Sequence, residues 1–157
     1  MYIIGIDPGT HGALSIVNLT GDKREVYAFS KYTDHDIRII LEDLAALYDC
    51  RAYLEEVHAM PRDGKVQAFN FGNNFGFWRG LLTGLKIPYE SVIPLKWQNG
   101  LKLKLRKLEY RQKKNALKGY AQQWFPDLKP TLDTCDALLI AEYGRRSILE
   151  QKRLARL

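Results

Sequence analysis

Acidic residues occur at three separated places in the sequence where carboxylates could take part in chemistry. Asp7 follows a short apolar run directly before a Pro-Gly turn, and Glu55 lies near the end of another such run, with Glu56 beside it. Asp133 and Asp136 lie three residues apart near the predicted start of the last helix, a spacing that places both on one helical face. Carboxylate oxygens are typical ligands of Mg²⁺ or Mn²⁺, and two such ions can activate a water for phosphodiester hydrolysis.

Each acid also has a purely structural explanation. Asp7 can form an Asx turn, Glu55 can form a salt bridge at a strand end, and Asp133 and Asp136 can favour a helix dipole. Acids at the exits of neighbouring strands, however, repel one another unless cations lie between them. This repulsion favours a divalent-metal site, and the lack of a neighbouring Cys or His pair argues against zinc.

The elements that must position these acids follow from the hydrophobic pattern. Two apolar runs flank a turn rich in Pro and Gly, and a third run follows a second turn, so the three strands should pair antiparallel. The later strands are reached through helices. We predict one α/β domain over residues 1–157, with a mixed five-stranded sheet of three antiparallel and two parallel strands flanked by helices. The predicted strands are 2–6, 13–17, 25–29, 52–57 and 91–93. Apolar residues at helical spacing over 37–48, behind a capping box of Thr33 and Asp36, and over 68–85 predict two helices; a third should run from about 106 to 125, and a last one should follow Pro130-Thr131 and extend to about 150.

Composition narrows the class of protein. Hydrophobic residues make up 46% and charged residues 27% of the chain, which is ordinary for a soluble globular protein. No apolar run approaches the ~20 residues that span a bilayer, and the N-terminus does not resemble a signal peptide. Two cysteines, Cys50 and Cys135, form neither a disulfide framework nor a CxxC pair. We therefore expect a cytosolic protein without a membrane partner, in a bacterium or a phage-infected host.

The charge distribution indicates a polyanionic partner. The net charge is +6 and the pI about 9.3, and the basic residues are concentrated over one segment and at the C-terminus. A solvated helix face is the plain explanation, but the density of charge favours a surface that follows phosphates. The residues concerned are Lys102, Lys104, Arg106, Lys107, Arg111, Lys113, Lys114 and Lys118, then Arg145, Arg146, Lys152, Arg153 and Arg156.

Three acidic segments, in order along nearly the whole chain, resemble the motifs of RuvC-type Holliday junction resolvases. The resemblance implies an RNase H-like fold, a homodimer, and two Mg²⁺ ions, with Mn²⁺ as a substitute, held by Asp7, Glu55, Asp133 and Asp136. It also implies cleavage of Holliday junctions and other branched DNA, with forks and flaps as further substrates, leaving 5′-phosphate and 3′-hydroxyl ends. The segments are Gly5-Ile6-Asp7-Pro8-Gly9-Thr10, Leu54-Glu55-Glu56-Val57 and Asp133-Thr134-Cys135-Asp136-Ala137-Leu138.

The same resemblance assigns individual roles. The family's second motif has the form Ile-Glu-Gln-Val, so Glu55 matches the ligand and Glu56 the neighbouring Gln. A basic residue near the start of the family's third helix, implied to contact the scissile phosphate, resembles Lys114 here, with Lys113 and Lys118 as competitors. The short chain favours a phage-type member.

The chain departs from the family after the glutamate strand. Some members carry a junction-probing aromatic there, whereas this sequence has His58, with Met60 and Pro61 beyond, so the residue that would probe the junction stays open. His11 and His58 are interpreted as surface histidines, and Cys135 as a small packing residue.

A glycine repeat marks the second predicted helix. Four glycines recur every fourth residue, and each costs about 1 kcal/mol relative to alanine inside a helix. Either the helix lies tightly on the sheet, or it packs against its own copy in the homodimer that the resemblance implies. An excess of aromatics on the helix favours the second explanation, while Asn70, Asn73 and Asn74 could equally contact DNA. The glycines are Gly72, Gly76, Gly80 and Gly84.

Two other functions compete with the endonuclease. The segment from Ile6 to Thr10 also resembles the first phosphate motif of actin-like ATPases, but these need two such domains, and the chain is too short. A non-catalytic, basic DNA-binding module would explain the charge but not the acids. An acidic cluster facing DNA weakens binding unless metal ions neutralise it.

Overall fold

A computed structural model describes residues 1–56 and 64–156, and a five-stranded mixed sheet forms the centre of this part of the chain. The strand order is β3-β2-β1-β4-β5, with β1–β2 and β2–β3 antiparallel and β1–β4 and β4–β5 parallel, which confirms the predicted sheet. The elements are β1 (Tyr2–Asp7), β2 (Ala13–Asn18), β3 (Arg24–Ala28), α1 (Asp34–Leu47), β4 (Cys50–Glu55), α2 (Lys65–Gly84), β5 (Tyr89–Val92), α3 (Pro94–Gly100), α4 (Tyr110–Trp124), a 3-10 turn (Pro126–Leu128) and α5 (Cys135–Leu154).

Helices cover both faces of the sheet. Strand residues such as Ile4 and Ile6 pack against α1 and the second half of α2, where Trp78 and Leu82 are buried. On the opposite face, Ile3 and other strand residues pack against α3, α4 and α5. Alternate residues of β1 therefore face different helical layers, as the period of a strand requires.

Helix α5 lies directly on the central strand. A Cβ atom at Gly5 would lie 2.2 Å from the carbonyl oxygen of Ala137 and 2.4 Å from the amide nitrogen of Ala141, so the contact needs glycine. The Ser15 hydroxyl on β2 donates a 2.7 Å hydrogen bond to the same Ala137 carbonyl. Backbone contact and a buried hydrogen bond together fix the first turn of α5 over β1.

Helix α2 leaves its glycines uncovered. Apart from the chain neighbours and the backbone of the helix itself, no atom of the described residues lies within 4 Å of a Cβ at any of the four glycines, so tight packing on the sheet does not explain them. In the first half of the helix, Val66 is 74% exposed and Phe69 72% exposed. Only the second half of α2 is held against the core. The four positions are Gly72, Gly76, Gly80 and Gly84.

Three differences from the predicted helices have an identifiable physical cause. The helix α3 was not predicted, because its seven residues are too few to display a clear period. Helix α4 begins at Tyr110 instead of about 106, since Lys107 has a φ of 65° and Glu109 forms a capping box with Gln112. Helix α5 begins at Cys135, later than predicted, because residues 131–134 form a turn closed by the Thr134 hydroxyl, which accepts from the Thr131 amide at 2.9 Å.

The predicted capping box of α1 is confirmed. The Thr33 hydroxyl accepts from the Asp36 amide at 3.2 Å, and the Asp36 carboxylate accepts from the Thr33 amide at 2.8 Å. Within the described part of the chain, no helix is both long and apolar enough to cross a membrane.

Candidate active site

Two of the predicted acids lie side by side at the ends of parallel strands. The register of β1 and β4 pairs Ile6 with Leu54, so Asp7 and Glu55 are adjacent at the carboxyl ends of their strands. The amide of Gly9 donates a 3.2 Å hydrogen bond to Asp7 Oδ1, so the Asx turn predicted as an alternative role for Asp7 is present. This turn orients one carboxylate oxygen and leaves the other for a ligand.

Glu55 is directed toward this group. The indole nitrogen of Trp97, a fully buried residue of α3, donates a 3.0 Å hydrogen bond to Glu55 Oε1. Glu55 also lines a cavity with Asp136 and Lys114. Trp97 was not identified from the sequence, because no pattern connects two residues that are 42 positions apart.

Asp136, on helix α5, lies close to the two acids at the strand ends. It lies in the first turn of α5, is 5% exposed, and forms an ion pair with the ammonium group of Lys114 on α4. Asp133 does not share a helical face with Asp136, contrary to the prediction, because it precedes the helix. It is partly exposed and lines a larger cavity together with Asp7 and Lys114.

The electrostatics of the group reflect crowded negative charge. Burial, together with the charge of Asp136, raises the pKa of Asp7 to about 6 from an ordinary 3.8. Burial and the charges of Asp7 and Asp136 raise the pKa of Glu55 to about 8 from an ordinary 4.5. Burial alone would lower the pKa of Lys114, but the contact with Asp136 outweighs it and raises that pKa. A cation is therefore favoured at this position, and Lys114 supplies one positive charge.

Two adjoining cavities surround the acids. The larger, of about 820 Å³, contains Asp7 and Asp133, and the smaller, of about 230 Å³, contains Glu55 and Asp136. Tyr110 and Lys114 line both. Of the lining residues, Tyr110, His11 and Asn115 were not predicted as site residues, since exposed positions carry no periodic signal.

The structure also separates the three candidate lysines. Lys114 contacts Asp136, and Lys113 lines the smaller cavity without an ion pair to an acid in the part of the chain that the structure describes. Lys118, one turn further along α4, lines neither cavity. Cys135 is buried in the core, as its interpretation as a packing residue requires, with its thiol 3.4 Å from Asp136 Oδ1. His58 and Met60 lie outside the described residues.

The donor set has the chemistry of a site for Mg²⁺ or Mn²⁺. Buried carboxylates with mutually raised pKa values gain most when a divalent cation neutralises them. As the side chains lie, no three acidic, histidine or cysteine groups of residues 1–56 and 64–156 already enclose an ion. Binding one ion through three of these groups therefore requires side-chain movement.

Solved structures of Thermus thermophilus RuvC are similar to this chain over nearly its whole length. One has a TM-score of 0.63 at 16% sequence identity, covering 96% of this chain and 97% of that chain. Another, RuvC in complex with a Holliday junction substrate, has a TM-score of 0.59 at 16% identity, covering 95% and 96%. No protein-family model and no curated protein matches the sequence. The chain therefore has the RuvC-type, RNase H-like fold.

Proposed function

We propose that this protein is a metal-dependent endonuclease that cleaves branched DNA, with Holliday junctions as its main substrate. One observation carries the proposal: three acids from three separate elements meet around one lysine at the carboxyl edge of the sheet. Asp7 and Glu55 come from parallel strands and Asp136 from the helix packed across them. Acids that serve stability are commonly paired with cations within the fold, whereas a cluster of buried acids that raise one another's pKa values is a feature of functional sites.

The proposed reaction divides the work among these residues. Asp7, Glu55, Asp133 and Asp136 would hold two divalent cations. When bound, such cations supply Lewis acidity and an activated water for in-line attack on phosphorus. Lys114 would contact the scissile phosphate or the charge that develops on it, since it lines both cavities. The expected products carry 5′-phosphate and 3′-hydroxyl ends.

The basic surface beside the site supports a DNA substrate. Arg111, Lys113 and Lys114 on α4 line the two cavities, and a basic loop precedes that helix. These cations would hold the phosphate backbone while the acids and their metal ions cleave it. A non-catalytic DNA-binding module would also need the basic residues, but it would not need three adjoining acids.

Cleavage of labelled four-way, forked and linear DNA tests the function directly. We expect cleavage of branched DNA with Mg²⁺ or Mn²⁺ and none with EDTA. Glu55→Gln should be inactive, while Glu56→Gln, its immediate neighbour, should retain activity close to that of the unmodified protein. Binding of branched DNA without cleavage under any metal condition would instead support the non-catalytic module.

We also propose a homodimer formed through α2. The uncovered glycines and the exposed Val66 and Phe69 lie on a helix whose first half has few core contacts. Glycines at four-residue spacing allow two helix backbones to approach closely. A dimer would present two sites to the symmetric strands of a four-way junction.

Sedimentation measures this assembly. We expect a dimer at micromolar concentration, with Gly80→Leu producing monomer, because a large side chain there separates the two backbones. Gly119→Leu, which also has no atom within 4 Å of its built Cβ but lies on α4, is the matched control and should stay dimeric. A monomeric parent protein that still cuts junctions symmetrically would rule out this interface.

A further inference from the structure

A third cavity borders the acidic site on its α2 side. It has a volume of about 450 Å³, within the range of about 300–1,000 Å³ that small-molecule sites occupy. Gly9 and Thr10, in the turn directly after Asp7, line both this cavity and the larger cavity of the acids. A polynucleotide whose phosphate lies at the acids would therefore pass next to this third cavity.

The lining combines side-chain amides with aromatic rings. Asn70, Asn73 and Asn74 lie at helical spacing on one face of α2, and Phe77 and Trp78 form part of the wall. The Asn74 amide donates a hydrogen bond to the carbonyl of Pro8, which ties α2 to the turn that follows Asp7.

The other two amides are available to a ligand. Neither Asn70 nor Asn73 makes a hydrogen bond within the part of the chain that the structure describes, and both are exposed. The buried indole N–H of Trp78 likewise has no acceptor among those residues.

The charge of the lining decides which part of a nucleotide fits. Among residues 1–56 and 64–156, no lysine or arginine lines this cavity, and one carboxylate, Asp34, does. A phosphate would be repelled here and attracted to Lys114 instead. A neutral planar group with hydrogen-bonding edges suits the amides, and its face suits the aromatic wall.

We propose that this cavity binds an unpaired nucleobase of the branched DNA, next to the phosphate held at the acids. The inference rests on the proposed function, because it needs the DNA backbone at the acidic site. Base pairing is interrupted most easily at a branch point, so such a pocket would favour branched over continuous duplexes. Asn70 and Asn73 contact the base edge, and Asn74 positions the helix.

The test uses four-way junctions that carry 2-aminopurine at successive positions around the branch point, in EDTA so that binding occurs without cleavage. The emission of 2-aminopurine increases when the base leaves its stack. We expect an increase at one position with the unmodified protein and its loss in the double variant Asn70→Ala, Asn73→Ala. Junction affinity, measured by anisotropy of a terminal fluorescein, should fall about tenfold in that variant. Gln67→Ala, an exposed amide on α2 that does not line the cavity, is the matched control and should behave as the parent.

The outcomes separate this inference from the proposed function. An equal emission increase in the double variant would overturn the pocket, as would tight junction binding with no increase at any position. Cleavage of branched DNA with Mg²⁺ would leave the proposed function standing in both cases. A parent protein that neither binds nor cuts branched DNA would remove the proposed function and this inference with it.

Discussion

Helix α5 carries two acids that are equally buried but differently compensated. Asp136 and Glu142 are each 5% exposed. Glu142 accepts hydrogen bonds from Arg145 at 2.7 and 2.9 Å and from Arg146 at 2.6 Å, all on its own helix. Asp136 has one cation, Lys114, and shares its surroundings with Asp7 and Glu55.

The pKa shifts follow this difference. Burial opposes ionisation of Glu142, but the bonds from Arg145 and Arg146 outweigh it and hold the pKa of Glu142 below its usual value. Around Asp136, burial and neighbouring acids raise the pKa values of Asp7 and Glu55 instead. A buried acid that the fold has fully paired serves stability, whereas a group of acids with too few cations has capacity for another cation.

The largest expected effect is on the cleavage rate, which should depend on Asp136 and not on Glu142. Asp136→Asn should lower the cleavage rate at least about a thousandfold, equivalent to about 4 kcal/mol of transition-state stabilisation, because it removes a proposed metal ligand. Glu142→Gln should cleave at the parent rate per folded molecule. Single-turnover cleavage of a four-way junction with Mg²⁺ measures both. Equal loss of activity in the two folded variants would remove the distinction between them.

Removing the cation that pairs with Asp136 should lower the cleavage rate, whereas removing one that pairs with Glu142 should not. The difference should be smaller than that between the two acids. Lys114→Met should lower the rate at saturating DNA about a hundredfold, because one positive charge near the reacting phosphate is lost. Arg146→Met, which removes a partner of Glu142, should leave that rate unchanged.

Lys118 is the control for charge on α4, since it lines neither cavity. Lys118→Met should weaken binding and flatten its salt dependence without changing the saturated rate. If Lys114→Met altered only affinity, the lysine would be a backbone contact and not part of the chemistry.

The smallest expected effect is on stability, measured in EDTA. Replacing Glu55 and replacing Glu142 should change stability with opposite dependences on pH. The folded-state pKa of Glu55, about 8, lies above its ordinary 4.5, so the stability of the protonated form is lost as the pH rises through 8. Glu55→Gln should therefore raise the melting temperature most near pH 9, and the gain should shrink toward pH 5.

For Glu142 the sign reverses. Its folded-state pKa is lowered, so its ion pairs stabilise the fold at neutral pH and are lost as the pH falls through that lowered pKa. Glu142→Gln should cost about 1–2 kcal/mol of unfolding free energy at pH 7, since Arg146 is partly exposed, and less in acid. Urea unfolding at several pH values measures both variants, and parallel pH profiles would contradict the comparison.

The sheet was predictable because its strands are short apolar runs separated by strong turn residues. The turn after Asp7 shows this well: a Cβ at Gly12 would lie 2.1 Å from the Asp7 carbonyl oxygen, so glycine there is a direct signal of a tight connection. The positions of Asp7 and Glu55 at strand ends followed from the same pattern.

Contacts between distant residues were not predictable in this way. Periodicity could not choose among three lysines of α4, because the choice depends on where α4 crosses α5. The bond from Trp97 to Glu55 depends on a short helix that leaves no clear pattern. Asp133 was misplaced because a hydroxyl of Thr134 holds a turn where the sequence is equally compatible with helix.

The contact between Gly5 and α5 restricts how far apart the acids of the site can lie. Asp7 lies two residues beyond Gly5 on one backbone, and Asp136 lies one residue before Ala137 on the other. The separation between strand acid and helix acid is therefore fixed by two main chains in direct contact, and not by side chains that can adjust their rotamers. A single added methyl group at position 5 would lift α5 and widen the gap between two unaltered carboxylates. The absence of a Cβ atom at Gly5 is therefore as necessary for the spacing of the site as the carboxylates themselves.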